Sequence, residues 1–171
     1  MAENLRSILS GLSALYIIAG LALIFTITRR ETSRDAPTLN RFVQLFLLGV
    51  SCQCLHFLEE FLSGFYIRFP SFLGLTPWSS EFFVTFNVSW IAIWILSAVG
   101  IRHHIQAAYF PAWFFAIGMA VNGIAHPLLA VATQGYFPGL VTSPLVGIVG
   151  ILLLKELWQV TQPHSVEISQ L

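Results

Sequence analysis

The chain has 171 residues, of which 56% are hydrophobic, 14% aromatic and only 9% charged, and its formal net charge is zero. A water-soluble domain carries about 25% charged residues, so this composition, with mean hydropathy +0.77, excludes an ordinary soluble fold and indicates a polytopic membrane protein. Zero net charge gives no support to a nucleic-acid partner.

A helix needs about 20 apolar residues to cross a bilayer. Five runs reach that length, near residues 8–27, 42–65, 82–101, 109–132 and 140–160. Little sequence remains for anything else. The expected architecture is therefore all-α, a compact bundle of five transmembrane helices forming a single unit over residues 1–171. The first run follows one acid and one base, Glu3 and Arg6, and is too long for a typical signal-peptide core, so it reads as the first span. In the second run Cys52 and Cys54 lie two apart on a helix and point away from each other. They cannot form a normal disulfide and do not reveal a redox compartment.

The second run also carries His56-Phe57-Leu58-Glu59-Glu60, two adjacent carboxylates inside an otherwise apolar span. An ionised side chain near the middle of a spanning helix costs roughly 2.5–3.5 kcal/mol on insertion scales, which makes these residues functional candidates. With His56 as origin, Glu59 and Glu60 lie at roughly −60° and +40° around the helix, so all three are expected to face one cavity. The fourth run repeats the pattern in weaker form, with Asn122 and His126 four apart on one face.

Loop charges set the expected orientation. Arg29, Arg30, Arg34 and Arg41 crowd the first loop, Arg102 with His103 and His104 marks the third, and Lys155 lies near the end of the last run. Only Arg6 and Arg68 fall on the other side, which puts the N-terminus outside and the C-terminus in the cytoplasm of a multipass cell-membrane protein. Depth follows from helical rise. His56 lies fifteen residues beyond Arg41 and His126 seventeen beyond Tyr109, about 22 and 25 Å at 1.5 Å per residue. Asn87 sits just inside the opposite end of the third span. His56, Glu59, Glu60, Asn87, Asn122 and His126 are thus expected at a shared depth, in the outer half of the bilayer.

The connecting segments have simple readings. Residues 63–81 hold Phe65, Tyr66, Phe69, Phe72 and Trp78 and read as an aromatic interfacial belt, or as a lid. Residues 135–139 form a tight turn that could roof the site. Lys155 and Glu156 read as a snorkelling pair, His103, His104 and His164 as solvated, and residues 162–171 as a frayed polar tail.

Imidazole and carboxylate together are ordinary ligands for zinc or non-haem iron. No lysine or arginine shares the depth of Glu59 and Glu60, so a divalent metal is the expected counter-charge, zinc first, with iron or manganese as alternatives. One metallopeptidase class binds zinc through His-x-x-Glu-His, with the glutamate as base. By that pattern analogy His56, Glu60 and His126 are metal ligands and Glu59 is the catalytic base toward activated water, though the two glutamates can exchange roles. Asn87 and Asn122 would orient ligands or hold a substrate oxygen, or simply join helices, and Cys52 reads as a small packing residue.

With the motif His56, Glu59 and Glu60, the later Asn122 to His126 segment and the Tyr136-Phe137-Pro138-Gly139 turn, the chain resembles the HXXEE family of small multipass membrane proteins. The resemblance implies a helical membrane fold with a shared polar site and names no reaction. The functional expectation is a metal-dependent, hydrolase-like enzyme acting on a lipid or other apolar small molecule. A metal-free acid–base isomerase or cyclase of isoprenoid-like substrates and a small proton- or ion-coupled transporter are the alternatives.

Overall fold

The computed structural model describes residues 2–32 and 36–163. Seven helices dominate these residues: α1 (Ala2–Gly11), α2 (Ser13–Thr28), α3 (Ala36–Leu62), α4 (Phe65–Phe72), α5 (Ser80–Arg102), α6 (Tyr109–Ala132) and α7 (Ser143–Val160). A 3₁₀ turn, Gln106–Ala108, leads into α6. Two three-residue strands, β1 (Arg29–Glu31) and β2 (Thr161–Pro163), pair antiparallel, Arg30 opposite Gln162. The protein is all-α and bundle-like, and α3, α5, α6 and α7 are each long and apolar enough to cross a membrane. Large apolar side chains such as Ile17, Leu96, Val131 and Ile148 remain exposed on the outside, as lipid-facing residues do.

The first expected span departs from a single straight helix. α1 and α2 meet at Leu12 with a bend of 50°, so a fifth crossing exists only if the pair counts as one. Alone, the 16 residues of α2 span about 24 Å, short of a hydrocarbon core of about 30 Å. Tertiary contacts hold the bend. Gly11 packs on Trp78 so closely that an added Cβ would clash with the indole, and Ser7 Oγ donates to the Thr76 carbonyl at 2.5 Å.

Residues 63–81 are also more ordered than a belt of aromatic residues. α3 ends at Leu62, Gly64 turns the chain at φ +77°, and α4 follows at once. Ser79 then caps α5, its hydroxyl accepting from the Phe82 amide at 3.1 Å.

Small residues set the closest helix packing. A Cβ on Gly123 of α6 would lie 2.5 Å from Gly147 Cα of α7, and one on Gly150 would lie 2.5 Å from the Ala120 amide nitrogen. Membrane helices approach this closely only through small side chains. The contact fixes the part of α6 that carries His126, three residues beyond Gly123. Below it the core fills with Phe42, Phe46, Trp113, Phe115 and Leu153.

The end of the bundle opposite His126 is a network of paired polar groups. Arg29 is buried rather than solvated; its guanidinium donates to Thr161 Oγ1 and to the Trp158 and Thr161 carbonyls, and it stacks 3.9 Å from the Trp158 ring. Glu156 pairs with Arg41 at 3.2 Å, which replaces the expected partnership with Lys155. His104 is not simply solvated, because its Nδ1 lies 2.5 Å from Glu31 Oε1. Gln162 and Pro163 belong to β2 instead of a frayed tail. Arg34, His164 and the remainder of that tail lie outside the described residues.

Candidate functional site

Four-residue spacing puts His56 and Glu60 on one face of α3, and His126 comes to meet them from α6. Glu60 Oε1 lies 3.6 Å from His56 Nε2 and 3.4 Å from His126 Nε2. The two imidazoles meet edge to face, with ring centres 4.7 Å apart. All three side chains are buried, at 0%, 6% and 2% exposure for His56, Glu60 and His126, so bulk water does not solvate the cluster. Among the described residues this is the only group of three or more potential metal ligands, all within 4.8 Å of one another.

Hydrogen bonding fixes which ring nitrogens carry protons. His126 Nδ1 lies 2.6 Å from the Pro138 carbonyl, which can only accept, so Nδ1 carries hydrogen. His56 Nδ1 lies 2.7 Å from Thr142 Oγ1, while that hydroxyl gives its own proton to Glu59 Oε2 at 2.5 Å. Thr142 therefore accepts from His56, and again Nδ1 is the donor. In each neutral imidazole the Nε2 lone pair is left facing Glu60. Separations of 3.4–3.6 Å exceed a normal hydrogen bond, and His56 Nε2 is buried with no hydrogen-bond partner.

These residues fit a divalent cation. Ligand bonds of about 2.0–2.2 Å in a tetrahedron place neighbouring donor atoms about 3.3–3.6 Å apart, matching both His–Glu separations. Buried lone pairs aimed at a carboxylate repel unless a positive charge lies between them. A donor hydrogen bond from the far nitrogen of each histidine, here to a carbonyl and to a threonine–carboxylate pair, is how proteins orient imidazole ligands.

Glu59 occupies a different position from the one expected. Its carboxylate turns away from the cluster into the turn between α6 and α7. There it accepts from Tyr136 OH at 2.8 Å, Val141 N–H at 2.9 Å, Thr142 N–H at 2.8 Å and the Thr142 hydroxyl. Four donors from the roof turn thus occupy its two oxygens. The expectation that it shares the cavity with His56 and Glu60 is corrected: it acts on His56 through Thr142. At −60° from His56 it had no obligation to turn outward, and a turn about eighty residues later supplies the donors that draw it there.

The turn itself roofs the histidines. Gly139 has φ +87°, and an added Cβ would lie 2.5 Å from His126 Cε1 and Nδ1 and 2.9 Å from His56 Cε1. Phe137 is buried beside it, and Phe65 of α4 lies 5.6 Å from the His126 ring and 6.2 Å from Phe137. The aromatic segment after α3 thus closes the site from the side.

Glu60 and His126 form part of the wall of a cavity of about 510 Å³ that continues between α2, α5 and α6. Asn87 and Asn122 line it too, as does Gln53, which sequence reading passed over. Asn87 donates one amide hydrogen to the Phe83 carbonyl at 2.9 Å, which steadies its side chain. The residues grouped by depth are therefore gathered at one place, apart from the outward turn of Glu59.

The region from residue 47 to residue 153 matches a family model described as a protein of unknown function with HXXEE motif. That region is more than half of the chain and holds the whole cluster. The chain belongs to the HXXEE family. In this member the motif's second glutamate borders the cavity, its histidine is buried beside that glutamate, and its first glutamate ties α3 to the roof. No curated protein and no solved structure matches the chain.

Thr142 is the functional residue that sequence reasoning missed, since nothing in its local spacing marks it. Thr142→Val keeps its shape and removes both the acceptor for His56 and a donor to Glu59. Loss of such an orienting partner typically costs 10–100-fold in metal affinity. If the trio holds zinc, its binding by Thr142→Val, measured by competition with a chromogenic chelator, is expected to weaken by about that factor while the protein stays folded.

Proposed function

We propose that this HXXEE protein is a metal-dependent, hydrolase-like membrane enzyme acting on a lipid or another apolar small molecule. The observation that carries the reading is the convergence of two buried imidazole lone pairs and one carboxylate oxygen at the wall of an apolar cavity. His56, Glu60 and His126 would hold the cation, zinc first, iron or manganese also suiting the donor set. Three protein ligands with a position left toward a cavity are the pattern of catalytic rather than structural zinc. Once bound, the cation would supply Lewis-acid polarisation of a substrate carbonyl.

The chain's own residues take the remaining tasks. Asn87 and Asn122 offer amide donors to a substrate oxygen on the cavity wall. Phe65 and the 135–139 turn keep water from the buried face of the cluster. Glu59 holds Thr142, and through it the His56 ring. With Glu59 committed there, Glu60 is the carboxylate that borders the cavity. The positive residues Arg30, Arg41 and Arg102 at the opposite end support a site in the outer half of the cell membrane, with the N-terminus outside and the C-terminus cytoplasmic.

The test is release of fatty acid from mixed neutral glycerolipids by the purified protein, followed by mass spectrometry. Activity is expected to stop on chelation, return with added zinc and be absent from His126→Ala. Turnover that ignores chelators would move the site to metal-free acid–base chemistry. Turnover by His126→Ala would remove the site from the reaction altogether.

A further inference from the structure

The cavity beside the cluster is long, carries its polar side chains along one stretch and has no cationic side chain in its lining. Its polar lining comprises Glu60, His126, Asn87, Asn122 and Gln53, and no lysine or arginine is among the residues that line it. Away from these five residues the lining is predominantly apolar, including Leu15 and Ile18 on α2 and Trp90 and Trp94 on α5. Along α5 the lining runs from Phe82 to Trp94, twelve residues or about 18 Å. On α6 it reaches back from His126 past Gly118 to Phe114, twelve residues or about 18 Å, and forward past Leu128 to Ala132, six residues or about 9 Å.

From these features we infer that the substrate is a single-chain neutral lipid, its uncharged carbonyl or hydroxyl head at Glu60 and His126 and its hydrocarbon tail running past Gly118 toward Trp94. This rests on the enzymatic reading above and specifies its substrate. Charge decides the head. A dication beside Glu60 and Glu59 sums to zero, and with no arginine or lysine on the wall nothing balances a buried phosphate or carboxylate. An uncharged oxygen needs only donors, which Asn87 and Asn122 provide. Length decides the tail, because the longer arm of the lining, from His126 past Gly118 to Phe114, gives about 18 Å for a hydrocarbon chain, whether acyl or prenyl.

Gly118 is the natural gauge. It lines the slot eight residues before His126, about 12 Å along α6, and a Cβ built on it meets nothing within 4 Å. A larger side chain there would fill the slot without disturbing helix packing. The experiment uses methyl esters of graded chain length with a terminal bromine, which quench the tryptophans of the slot when bound. Parent protein, Gly118→Leu, the milder Gly118→Ala and His126→Ala are compared, with free fatty acids as charged competitors.

Long esters are expected to bind Gly118→Leu about tenfold more weakly than the parent, the order of penalty for overfilling a packed space, while short esters bind both alike. Gly118→Ala should fall between them. His126→Ala should keep its length preference, which separates tail binding from the metal reading: a failed metal assay with intact length selection would sink only the latter. Equal loss for all lengths in Gly118→Leu, or no loss, would overturn the assignment of the tail. Preference for free fatty acids over methyl esters would overturn the neutral head, and prenyl against acyl chains of matched length would identify the source.

Discussion

Glu60→Gln is expected to abolish metal binding, whereas Glu59→Gln is expected to weaken it without abolishing it. Adjacent positions in one motif thus differ sharply in effect. Glu60 presents its oxygen to both imidazoles at 3.4 and 3.6 Å and supplies the only negative charge directly between them. A neutral amide there leaves two lone pairs and a dication without charge compensation in a buried space, where an unpaired charge is costly. Glu59 takes its hydrogen bonds from Tyr136, Val141 and Thr142 and acts on His56 through Thr142. Its replacement by glutamine keeps one acceptor oxygen for the turn and removes the charge that favours the Thr142 orientation, an effect of about 10–100-fold by the behaviour of residues that orient ligands. Elemental analysis after desalting, with chelator competition for affinity, measures both. Equal loss in the two variants would mean that the glutamates act as one unit.

Gly139→Ala carries the largest expected cost in stability. Its φ of +87° disfavours any side chain, at about 1–2 kcal/mol, and the new methyl would press on both histidine rings, adding about 1–3 kcal/mol for overpacking. Together these amount to about 2–5 kcal/mol, with the imidazoles displaced as the roof lifts. Gly135, four residues earlier, is the control: its φ is negative and an added Cβ would find only the Thr133 carbonyl, at 3.9 Å. Thermal unfolding in detergent, followed by tryptophan fluorescence, should show a clear drop for Gly139→Ala and almost none for Gly135→Ala. Similar behaviour of the two variants would contradict the roofed geometry.

Hydropathy made α3, α5, α6 and α7 legible, because a spanning helix is written as a continuous apolar run. The break at Leu12 was not legible in the same way. The bend is held by Trp78 and Thr76, more than sixty residues later. α4 was hidden for a related reason: its aromatic residues suit a membrane interface, a loop or a short helix equally, and Gly64 settles the matter only through its backbone angle. At the site, helical geometry brought out His56 and Glu60, four apart, and the shared depth brought in His126, Asn87 and Asn122. What it could not assign was the direction of Glu59, which depends on hydrogen-bond donors in a turn it does not neighbour in sequence. Charge counting likewise used Arg29 only as a first-loop charge and gave no sign that Thr161 and Trp158 bury it.

The central claim is that His56, Glu60 and His126 bind one divalent cation. X-ray absorption fine structure at the zinc edge, on protein purified without chelators and loaded with zinc, tests it most directly. The expected result is close to one retained equivalent, with two imidazole nitrogens and oxygen donors at about 2.0–2.2 Å, and its loss in His126→Ala. Folded protein that retains neither zinc, iron nor manganese, or zinc bound without imidazole, would contradict the account.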